Sequence, residues 1–178
     1  CSSDLDTFTT DRSAGAVHGT LAEPGPGVRT VTDTGSKLSL SGGALVVASG
    51  AAASGNPSAV YGAREREGGR LVIAQITPVA GTSPARAGWT GVTAVGSDAV
   101  FFNSSGTLGS TINGNNGPTL GAWTNTGYTI AVVLRATGVF LFIKGGAFAN
   151  WALLWVHNTT SSGTRSPVIS AVTNGAGF

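Results

Sequence analysis

The chain has 178 residues, of which 41% are hydrophobic and only 10% charged, with 28 glycines and a net charge of +2. That length and apolar content suit one folded domain with its own core and exclude a disordered chain, which would be poor in apolar residues and highly charged. The ten cations are scattered rather than gathered into a basic stripe, which argues against a nucleic-acid binder, and no run of 18 apolar residues offers a membrane-spanning helix.

The sequence opens on Cys1-Ser2-Ser3-Asp4, contains no Met, and has no second cysteine for an internal disulfide. That start resembles the mature end of a bacterial lipoprotein, which makes Cys1 a lipidation candidate. Residues 1–20 read as a looser N-terminal arm or edge strand, and 21–178 as one β-domain. Gly and Pro interrupt most windows long enough for a helix, at a cost of about 1 and 3 kcal/mol each. What remains is a series of short β-branched and apolar runs between turn residues. They fall at 28–32, 37–40, 44–48, 71–77, 88–95, 99–103, 128–135, 139–143, 151–157 and 167–172. Such a series predicts an all-β sandwich or barrel.

Two hairpins are legible. In "SLSGGALVV" the pair Gly42-Gly43 forms the turn, where positive φ is needed and glycine supplies it without strain. In "YTIAVVLRATGVFLFI" two strands flank the short turn "ATG" and belong near the middle of a sheet. The second of these strands is apolar on both faces, so it is expected to be covered on both sides. The stretches 103–123 and 157–167 are polar and Gly-rich and read as loops. Two sequons, at Asn103 and Asn158, are ordinary in a chain so rich in Ser and Thr.

"KGGAFANWALLWVHN", residues 144 to 158, sets Trp151 and Trp155 four apart, a helical spacing. Lys144-Gly145-Gly146 reads as a turn, however, and the all-β pattern continues through "ALLWV". On a strand, Trp151, Leu153 and Trp155 share one face while Ala152, Leu154 and Val156 share the other. Both faces are apolar, which predicts a buried strand of the sandwich core, with Trp155→Ala costing several kcal/mol of stability.

"DLDTFTTDRSAG", "KLSLSGGALVVASG" and "YTIAVVLRATGVFLFIKGGAFANWALLWV" together resemble domains of the concanavalin A-like lectin/glucanase superfamily. They are most similar to the laminin-G-like jelly rolls of bacterial surface proteins and phage structural proteins. The resemblance covers most of the chain and lies in strands and turns rather than in a catalytic motif. It implies a two-sheet antiparallel jelly-roll β-sandwich. Members of that superfamily bind sugars, mediate adhesion, build particles or hydrolyse β-glucans, and fold alone does not choose among these.

Retaining glucan hydrolysis needs two carboxylates on one strand face about 5 Å apart. Only Glu65 and Glu67, in "ARERE", have the spacing, and no Asp lies between them. They read better as a charge-protected strand edge. His18 and His157 stand apart from any nucleophile motif, and no His or Cys cluster suggests zinc. Calcium would need Asp98 beside Asn103, or Asp4, Asp6 and Asp11. Sugar binding would use an exposed aromatic face with amide partners, for which Trp89, Trp123 and Tyr128 with Asn113, Asn115 and Asn116 are the candidates.

The expectation is therefore a non-enzymatic extracellular structural or adhesive module that self-associates or meets cell-surface glycans, without a cofactor or nucleic acid. The alternative is a lectin-like carbohydrate-binding module, and a glycoside hydrolase comes third.

Overall fold

The computed structural model describes residues 8, 10–20, 28–36, 38–47, 58–62, 64–65, 69–78, 85–90, 98–103, 105–112, 115–158 and 164–171. Among them every regular element is a strand. In chain order these are β1 (Thr30–Thr32), β2 (Leu38–Ser41), β3 (Ala44–Val47), β4 (Ser58–Val60), β5 (Arg64–Glu65), β6 (Arg70–Ile76), β7 (Ala85–Thr90) and β8 (Asp98–Phe102). Then follow β9 (Thr107–Ile112), β10 (Asn115–Asn116), β11 (Gly121–Ala122), β12 (Tyr128–Arg135), β13 (Gly138–Gly145), β14 (Phe148–His157) and β15 (Thr164–Ala171). All the pairings are antiparallel.

A large sheet runs β1-β4-β15-β7-β8-β9-β10, with β11 also on β9 and β5 also on β15. A four-stranded sheet runs β14-β13-β12-β6, and β2-β3 is a separate hairpin. The arrangement is consistent with a β-sandwich. The inner faces of the two main sheets meet in one apolar cluster, to which the large sheet gives Ala87, Trp89, Val100, Phe102, Leu108 and Ile112. The four-stranded sheet answers with Ile130, Val132, Leu134, Val139, Leu141 and Ile143, all fully buried. The alternation of β12 and β13 dictates this: every second residue is a branched aliphatic side chain, and the period of two puts them all on one side. Trp89 ties the layers together, because its Nε1–H donates to the Val132 carbonyl at 3.0 Å. That bond satisfies the one polar atom of a ring otherwise buried in the core.

Two of the turns follow from glycine. Gly42 and Gly43 join β2 to β3 with φ of 59° and 77°, as the sequence predicts. Gly146 joins β13 to β14 at φ 56°, and a Cβ there would collide with the Tyr128 ring. The segment before β1 is tied in at two points. Arg12 exchanges backbone hydrogen bonds with Leu40 at 2.8 and 2.9 Å, and Arg29 does so with Gly19 and Thr20.

Three expectations are corrected. The stretch 103–123 is not one loop, since it carries β9, β10 and β11. β9 escapes notice because its inner-facing residues are Leu108, Ser110 and Ile112, and because Gly109 breaks the apolar run. Gly109 is required there: the Phe101 ring lies where its Cβ would be. Second, β13 is not covered on both sides. Its outward residues Phe140 and Phe142 are only half-buried.

Third, 151–157 is a strand but not a buried one. β14 is an edge strand of the four-stranded sheet, and Trp151, Leu153 and Trp155 are 47%, 53% and 40% exposed. A bulge also resets the alternation. Leu141 pairs with Trp155 and Phe142 with Leu153, so Leu154 is the extra residue. Val156 consequently joins Leu153 on the outer side, while Trp155 stands opposite the core residue Leu141.

Stability should follow these burials. Trp89→Ala is expected to cost about 3–5 kcal/mol, and Trp151→Ala about 1 kcal/mol or less. Denaturant midpoints of the two variants measure the difference. Equal losses would contradict the assignment of Trp89 to the core and Trp151 to the surface.

Candidate interaction surface

The outer face of the four-stranded sheet is apolar and open. Registers across it define two continuous rows. One is Leu71–Val133–Phe140–Val156, and the next is Ile73–Ala131–Phe142–Leu153. Leu71 and Ile73 are 54% and 56% exposed, and Trp151 extends the patch beyond Leu153 on the same face. Ala131 is small, and its larger neighbours in the row bury it. A polar row, Gln75–Thr129–Lys144, closes one end of the patch, and Arg135 closes the other.

The face therefore bears one cation at each end. Its four strands carry no acid, for the chain has none after Asp98 and none within β6. Scattered exposed apolar residues are normal on a protein surface, but two adjacent rows spanning a whole sheet form a contiguous patch of the kind that marks an interaction site.

The aromatic residues proposed for sugar stacking lie elsewhere. Trp89, Trp123 and Tyr128 are all buried in the core cluster. Their polar ends are engaged within the fold: Trp123 Nε1–H donates to the Asn103 carbonyl at 2.9 Å, and Tyr128 Oη accepts from Thr124 N–H at 2.9 Å. Phe102 holds the other two rings together, edge-on to Trp123 at 6.1 Å and tilted to Tyr128 at 5.1 Å. Burial pushes the Tyr128 phenol up, but hydrogen bonds from Thr124 and Thr126 outweigh it and hold the group below its usual value. Rings in this setting anchor the sheet-to-sheet core and have no open face for a sugar. Asn115 and Asn116 form β10 against β9, and Asn113 lies outside the described residues, as does Cys1.

No family model matches the chain, and no curated protein matches its sequence. The functional reading therefore rests on the chain's own chemistry.

Two further candidate sites resolve into structural roles. Asp98 and Asn103 sit at opposite ends of β8, about 17 Å apart at ~3.3 Å per residue, too far to share one calcium ion. Asp98 is fully buried and accepts from Arg165 Nε at 3.3 Å. Asp11 accepts from Gly42 N–H at 3.0 Å and so caps the β2–β3 turn, while Asp4 and Asp6 lie outside the described residues. Among the described residues no group of three or more His, Cys, Asp or Glu side chains could hold a metal ion. Also among them, no helix is long and apolar enough to cross a membrane. Glu65 lies on β5, which pairs with β15, and Glu67 lies outside the described residues.

A small cleft opens on the large sheet, lined by Phe101, Asn103, Thr107, Gly109 and Thr119 among others, with a volume near 170 Å³. Ligand pockets usually run to about 300–1,000 Å³, so the cleft is small beside the open apolar face.

The patch should be visible to a hydrophobic fluorescent probe. The native chain is expected to enhance its emission, and an Ile73→Lys/Leu153→Lys variant to lose most of the enhancement. The variant's unfolding midpoint should stay nearly unchanged, because both positions are more than half exposed. A variant that unfolds early, or that keeps the full signal, would contradict the assignment of the patch.

Proposed function

We propose that the chain is a non-enzymatic structural and adhesive module of an extracellular assembly, a subunit of a surface fibre, a cell-surface layer or a virion. The observation that carries this reading is the outer face of the four-stranded sheet, where two apolar rows span all four strands. A surface of this kind is costly to leave in water and is stabilised when something covers it. The buried aromatic cluster adds support from the other direction, since the rings best suited to ligand work are committed to holding the sheets together.

The fold that goes with this reading is a jelly roll of the concanavalin A-like superfamily, of the laminin-G type. Two antiparallel sheets facing one core are what such a fold requires.

A second reading, a carbohydrate-binding module, draws on the cleft beside Phe101, where Asn103, Thr107 and Thr119 gather near an aromatic ring. Its small volume would admit little more than one sugar ring.

Sedimentation velocity across a wide concentration series, in reductant so that Cys1 forms no bridge, tests the main reading. The average mass is expected to rise above the 17.6 kDa of one chain as concentration increases. A chain that remains a monomer throughout contradicts it. If the same chain gives hits on a glycan array that Thr107→Ala abolishes, the second reading takes its place.

A further inference from the structure

We infer that the outer face of the four-stranded sheet packs against the same face of a second copy, sheet on sheet, about a two-fold axis. The inference rests on the assembly reading above and names the occupant of its surface. Size supports it first. Four strands about 4.8 Å apart make a face ~19 Å wide, and seven to ten residues at ~3.3 Å each make it ~23–33 Å long. The flat area is then about 450–600 Å² per copy, or roughly 900–1,200 Å² for a pair before side-chain relief is counted. Specific interfaces begin near ~1,000 Å² in total, so two such faces suffice for a weak, reversible pair.

Shape supports it next. The rows Leu71–Val133–Phe140–Val156 and Ile73–Ala131–Phe142–Leu153 set large side chains beside the small Ala131. Such relief suits interdigitation across the ~10 Å separation of packed sheets. A two-fold pair is also closed and self-complementary, so it uses the patch once and leaves no sticky remainder.

Charge makes the inference decidable. Face-to-face packing needs a two-fold axis lying in the interface plane. An axis along the strands brings Arg135 to Arg135 and Lys144 to Lys144. An axis across them brings Arg135 to Lys144. No acid on the four strands can answer either pairing. In either aligned packing the rim of the pair is therefore repulsive, and added salt should screen that repulsion. An anionic occupant, such as an acidic lipid surface, would respond in the opposite sense.

Sedimentation equilibrium of the whole chain, in reductant, gives the pair's dissociation constant for four samples. These are the wild type at low and at high salt, Ile73→Lys/Leu153→Lys, and Val46→Lys as a control on an apolar exposed position of β3. Unfolding midpoints check that each variant is folded, and the salt comparison needs no variant at all. The expected result is a dimer whose dissociation constant falls several-fold from about 50 to 500 mM salt. It should rise at least ~10-fold in the double variant and stay unchanged in Val46→Lys.

If association persists in the double variant, the inference is overturned while the assembly reading stands. If no sample associates, both fall. Self-association that weakens with salt overturns the face-to-face pairing, and binding of the wild-type chain to phosphatidylglycerol vesicles at concentrations where it does not pair with itself overturns the second copy as occupant.

Discussion

The fold depends on the contact between the inner faces of two antiparallel sheets. A sheet is stable in water only when one face is hidden, and here each main sheet hides the inner face of the other. The contact combines apolar burial with geometry. Branched residues of β12 and β13 supply the bulk, and Trp89 reaches across to the Val132 carbonyl. Phe102, Trp123 and Tyr128 close one end of the core, with the polar atoms of the last two satisfied by backbone groups. Removing Trp123 or Tyr128 would leave both a cavity and an orphaned polar partner, so this cluster resists change more than any surface strand.

The outer faces of the two sheets differ, and the difference decides the functional account. On the large sheet the row Arg86–Ser170–Ser58 is buried although its residues are polar, and Val168 in the neighbouring row is fully buried. Burial lowers the Arg86 guanidinium to about 10, and its charge lies over the Phe101 ring at 5.8 Å. The four-stranded sheet shows the reverse, because its outer residues are apolar and lie in water. The chain thus covers polar side chains on the outer face of the large sheet and leaves apolar ones exposed on that of the four-stranded sheet, and the proposed assembly builds on this contrast.

Much of the fold was legible in the sequence because it rests on local rules. Strict alternation marked β12, the Gly42-Gly43 pair marked a hairpin, and Lys144-Gly145-Gly146 marked the turn into β14. β9 was hidden because its inward residues include Ser110 and because Gly109 gives way to Phe101, a contact made only in three dimensions. The tryptophans of β14 show the deeper limit. Apolar residues on both faces of a strand look alike whether the second face is covered by the same chain or by another. A bulge at Leu154 then changed which residues share that face. The candidate stacking residues Trp89, Trp123 and Tyr128 were singled out by type alone, and type does not say which side of a sheet a ring occupies.

Fluorescence quenching of Trp151 by acrylamide tests the central claim most directly, in a Trp155→Phe background where Trp89 and Trp123 stay buried. The account predicts that the quencher reaches Trp151 freely in dilute chain and is shut out as concentration rises and the outer face is covered. Quenching that stays the same at every concentration would contradict it.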